Sequence, residues 1–173
     1  LLTEQQTPFG VPAFDKIKVE HYMPAFEAAI QANQAEIDAI VNNPAAPTFE
    51  NTVEALDRTG ELLDKVVGVF FNVLEADGND EMNKIAEQVT PMLSALSDGI
   101  ILNDKLFQRV KAVYEQKDAL NLNSEQMRLL TETYKQFEQN GANLSEDKKK
   151  RLMEINQELG LLSLQFGNNV VAE

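Results

Sequence analysis

A helix that is apolar on two sides has to sit between two neighbours, and residues 141–170, GANLSEDKKKRLMEINQELGLLSLQFGNNV, read as such a helix. At about 100° per residue, Leu152, Ile155, Leu159, Leu162, Phe166 and Val170 fall on one stripe, while Leu161, Leu164 and Val171 fall roughly opposite. One neighbour comes from the preceding helices. The second is expected from outside the chain, so the chain reads as part of a longer polypeptide.

The rest of the pattern is also helical. Residues 1–17, with Pro8, Gly10 and Pro12 and no sustained period, read as an extended leader, and residues 18–173 as the helical domain. Residues 19–41 form the first helix, with Tyr22, Phe26, Ile30, Ile37, Ile40 and Val41 on one face and Pro24 tolerated in its first turns. Thr48 caps a second helix reaching Ala76, which carries Val53, Leu56, Leu63, Val67, Phe70 and Leu74 beside a second stripe at Leu62, Val66, Val69 and Val73. This is the expected central helix, with Phe70 and Phe71 both buried. Residues 81–102 follow, with Pro91 expected to kink the axis; Asn103 caps a short fourth helix and Ser124 a fifth, and Ser145 opens the last. No period-2 run suggests a strand. The expected fold is all-α, about six helices in an antiparallel array.

Charge and residue counts exclude several classes of function. A net charge of −13 repels the phosphate backbone and anionic membrane surfaces, so neither nucleic acid nor a membrane is an expected partner. The longest dense apolar run, residues 66–71, is far short of the ~20 residues a membrane helix needs. Zinc peptidase chemistry on a helix uses His-Glu-x-x-His, whose two imidazoles share one face. This chain has one histidine, His21, and no cysteine, so no such site can be completed from it. His21 reads as a structural or surface histidine. The acidic turn at residues 77–81 lacks the glycine and the acidic residue that a calcium loop needs at its sixth and twelfth positions, where Met82 and Gln88 stand. The basic run Lys148-Lys149-Lys150-Arg151 reads as a solvated face of the last helix. No catalytic, cofactor-binding or metal-binding residue is assigned.

Four groups of residues carry a resemblance: residues 14–26, FDKIKVEHYMPAF; residues 47–52, PTFENT, with Ala55 and Leu56; residues 69–72, VFFN; and residues 141–144, GANL, followed by Asn156, Leu159, Phe166 and Asn169. In order and spacing they resemble the thimet-oligopeptidase-like zinc metallopeptidases, most closely the branch of bacterial peptidyl-dipeptidases and oligopeptidase A. The resemblance implies the N-terminal helical region of an enzyme that hydrolyses short peptides, forming part of a substrate-channel wall. On that reading the partners are the C-terminal catalytic domain of the same polypeptide and short peptide substrates. Zinc is implied for the full-length protein and not for this chain, which alone is expected to be inactive. The implied compartment is the cytoplasm, or the periplasm if a signal peptide was removed. For the chain alone, either self-association through the last helix or fraying after about Gly160 is a further expectation, and an autonomous helical interaction or scaffold module is the alternative reading.

Overall fold

The computed structural model describes residues 1, 2, 7 and 10–172, with the side chains of Val171 and Ala172 excepted. Pro8 of the expected leader, and the side chain of Val171 assigned above to one stripe of the last helix, therefore lie outside what is described. Every regular element among the described residues is helical. In order they are α1 (Tyr22–Val41), a π-helical segment (Phe49–Glu54) running into the single turn α2 (Ala55–Asp57), α3 (Glu61–Asp77), α4 (Asp80–Ile101), α5 (Asp104–Glu115), α6 (Ser124–Gln139) and α7 (Glu146–Ala172). Short 3₁₀ turns at Phe14–Lys16 and Val19–His21 lead into α1, and another at Lys117–Ala119 follows α5.

The expected second helix is two pieces. Gly60 adopts φ +84°, a left-handed conformation that ends the helical path, and a Cβ there would meet the side chain of Asn33 at 3.2 Å. Its N–H donates to Glu36 Oε2 of α1 at 2.8 Å. The break therefore fastens the start of α3 to α1. Val53 and Leu56 in consequence do not share a face with Leu63 and Phe70; Val53 instead packs with Phe49, Val113 and Leu130.

The spine of the molecule is α1 rather than this divided helix. Its first half, Tyr22, Ala25, Phe26 and Ala29, packs with Leu63, Val66, Val69 and Phe70 of α3 and Met82, Ala86, Val89 and Leu96 of α4. Its second half, Ile37 and Ile40, packs with Leu106, Phe107 and Val110 of α5 and Phe137 of α6. Phe70 sits at the centre of the first cluster, edge-on to Tyr22 at 4.9 Å, Phe26 at 5.2 Å and Phe71 at 5.1 Å between ring centroids. Phe70 is fully buried, as expected, while Phe71, expected to be buried as well, is half-buried and packs against the edge of this cluster.

Most helix starts follow from their sequence. Thr48, Asn79 and Asn103 accept the N–H groups of Asn51, Met82 and Leu106 respectively. The start of α6 lies one residue earlier than expected: Asn123 is the cap, and its side chain and that of Gln126 exchange hydrogen bonds with each other's backbone. α4 runs unbroken through Pro91. α6 ends on Gly141 at φ +96°, where the N–H of Ala142 reaches Phe137 O at 3.0 Å and that of Gly141 reaches Glu138 O at 3.4 Å. The chain then reverses into α7, which lies along α4.

Candidate functional site

His21 is exposed, and its Nδ1 accepts the backbone N–H of Lys18 at 3.1 Å just before α1. It is a capping group, in keeping with its structural reading. Among the described residues no group of three or more His, Cys, Asp or Glu side chains is placed to hold a metal ion. The donor set does not fit zinc, so no step through a metal follows from this chain. Residues 77–81 form the turn between α3 and α4, tight enough that a Cβ on Gly78 would meet Leu74 O at 2.3 Å.

Two polar clusters were not legible beforehand. Asn51, in the PTFENT segment, uses Oδ1 to accept from Thr48 N–H at 2.9 Å, Thr52 Oγ1 at 2.8 Å and Arg109 Nη2 at 3.2 Å, while its Nδ2 donates to Ala46 O at 2.9 Å. Arg109 of α5 also donates to Asn43 O and Ala45 O. A stretch that carries the family resemblance thus has a structural task here: it ties the segment after α1 to α5.

The second cluster corrects the reading of the basic run. Lys149 is only 4% exposed, while Lys148, Lys150 and Arg151 face water. Its ammonium donates to Leu102 O at 3.2 Å, where α4 ends, and to Asp104, where α5 begins, with Glu146 at 3.7 Å. A cation at the C-terminal pole of α4 is favoured electrostatically. About two turns further on, Asn156 Nδ2 donates to the buried Asp98 of α4 at 2.7 Å.

α7 therefore meets α4 along Lys149, Asn156, Gly160 and Leu164. A Cβ on Gly160 would sit 3.3 Å from Thr90 Cγ2, so this glycine marks a close approach of the two helices, not a point where the helix gives out. Leu152, assigned to the outer stripe, is half-buried with its Cδ2 against Gly141. The other five members, Ile155, Leu159, Leu162, Phe166 and Val170, are exposed by 44, 59, 53, 71 and 59%. Beside the stripe, a groove of about 620 Å³ runs between the α3–α4 turn and α7, lined by Phe71, Leu74, Leu164 and Gly167 among others. The arrangement offers an apolar contact face.

No family model matches the chain. Among curated proteins it is 42% identical over 172 residues to the dipeptidyl carboxypeptidase of Salmonella typhimurium, and 40% identical over 171 residues to that of Escherichia coli. It is 27% identical over 165 residues to oligopeptidase A of Escherichia coli. These matches cover 99, 99 and 95% of this chain but only 25, 25 and 24% of the relatives. The chain spans about a quarter of the length of these relatives, matching their N-terminal region, and the resemblance read from its residues holds along nearly its whole length.

Proposed function

We infer that this chain is the non-catalytic N-terminal helical portion of a peptide hydrolase of the thimet-oligopeptidase-like kind, and that it contributes part of the wall of a substrate channel. One observation carries the reading: 42% identity sustained over 99% of the chain to a quarter of a dipeptidyl carboxypeptidase. The exposed apolar face of α7 and the single histidine agree with it, since the chain offers a surface to be covered and too few donors for a peptidase metal site. Zinc and the residues that activate water belong, on this reading, to the remainder of the polypeptide. What this chain does is bind and exclude: it presents packed helices that restrict entry to short, flexible peptides. The cytoplasm is the compartment that goes with this reading, the periplasm its alternative.

The test is a chimera in which this chain replaces the matched quarter of the Salmonella dipeptidyl carboxypeptidase. Release of dipeptides from a short peptide should persist. A folded, zinc-loaded chimera that hydrolyses nothing would overturn the proposal and leave the chain as an autonomous interaction module, the reading that the exposed stripe on α7 also favours.

A further inference from the structure

The surface of α7 changes character along its length. Residues 146–154 include seven charged side chains out of nine, whereas residues 155–172 include one, Glu158, in a chain that is 25% charged. A helix whose outer face stays in water keeps charged residues there. Depletion of charge around apolar side chains is instead the composition of an interface core. In this uncharged half stand Ile155, Leu159, Leu162, Phe166 and Val170, spaced by 4, 3, 4 and 4 residues, all exposed. That spacing is the one by which a helix face engages another helix. From the first to the last the stripe runs about 22 Å, some four turns. Beside Phe166, the backbone of Gly167 is open, with nothing within 4 Å of where a Cβ would be. On the helix circumference Ser163 and Gly167 adjoin the stripe and line the near side of the groove that Phe71 and Leu74 line opposite.

We propose that this half of α7 is the seam on which an apolar helix docks, supplied by the part of the polypeptide that corresponds to the remaining three quarters of the relatives, of which the chain covers 25%. The proposal rests on the reading of the chain as the N-terminal portion of a longer hydrolase. A second copy of the chain is the poorer occupant, because each copy carries a net charge of −13 and like charge opposes association. A lipid surface is poorer still. Residues 155–172 contain no Lys or Arg, and helices that lie on anionic membranes carry them on the polar face.

The chimera with the Salmonella relative provides the experiment, run beside the chain alone. Hydrogen exchange across residues 155–170 should be at least tenfold slower in the chimera. The double substitution Leu159→Glu with Phe166→Glu should leave the unfolding midpoint of the chain alone unchanged, because both side chains already face water there. In the chimera it should abolish the added protection. Equal exchange in the two proteins would overturn the proposal, as would a protected stripe that tolerates both glutamates. So would a concentration-dependent dimer of the chain alone that protects these residues while the chimera leaves them open. Peptide hydrolysis is read separately: activity with an unprotected α7 sinks the seam alone, and a protected α7 without activity sinks the proposed function alone.

Discussion

At the scale of single residues, the groups that fasten this molecule are polar ones that a search for apolar periodicity passes over. Lys149 falls on the side of α7 that also carries Asn156, Gly160 and Leu164, yet only the last of these registers as apolar. Within a run of four basic residues nothing marks which one turns inward. Lys149→Met should lower stability by about 1–2 kcal/mol, because Leu102 O loses a charged donor, while Lys148→Met should stay within about 0.5 kcal/mol; urea unfolding of the two variants compares them. The Tyr134 hydroxyl donates to Glu138 at 2.9 Å, and this hydrogen bond, ahead of burial, holds its pKa above the usual tyrosine value of 10.0. In the unfolded chain the phenol ionises first, so the unfolded state binds fewer protons above pH 10. The contribution of Tyr134 is therefore complete below that pH and is lost as pH rises through the folded value. Glu138→Gln should lower the alkaline midpoint of Tyr134, read from tyrosinate absorbance, and an unchanged midpoint would remove the carboxylate as the cause.

At the scale of elements, existence and type were legible, because apolar residues recur at helical spacing through 19–41, 81–102 and 124–139 and because Thr48 and Asn103 stand where caps are needed. The division of the second helix was not. Gly60 inside a helical pattern is tolerated often enough to be read through; what decides its conformation is Glu36 and Asn33, some 24 and 27 residues away in sequence. The same limit applies to Phe70 and Phe71, which a two-striped α3 treats alike. Phe70 has rings on three sides, whereas Phe71 lines the groove beside α7. Phe70→Ala should cost about 3–5 kcal/mol, and Phe71→Ala about 1–2 kcal/mol, since a half-buried ring gives up less transfer free energy. Equal losses in denaturant unfolding would show that the groove closes over Phe71 in solution.

At the scale of the whole molecule, the all-α architecture and the outer stripe of α7 could be read from the sequence, while the face by which α7 attaches could not, because it is built from a lysine, an asparagine and a glycine. With one imidazole and no thiolate, the chain alone should retain no zinc after dialysis and release no dipeptide from a short peptide. One tightly held zinc with chelator-sensitive hydrolysis would contradict this. The specific tethers of α7, Lys149 to Leu102 and Asp104 and Asn156 to Asp98, all lie in its first half, and beyond Gly160 it meets the body chiefly through Leu164 beside an open groove. Mechanically that is a cantilever. With about 1.5 Å per residue, a tilt of roughly 10° about Asn156 carries Val170 through about 3.6 Å, so the angle set by two hydrogen-bonded anchors fixes where α7 presents Phe166.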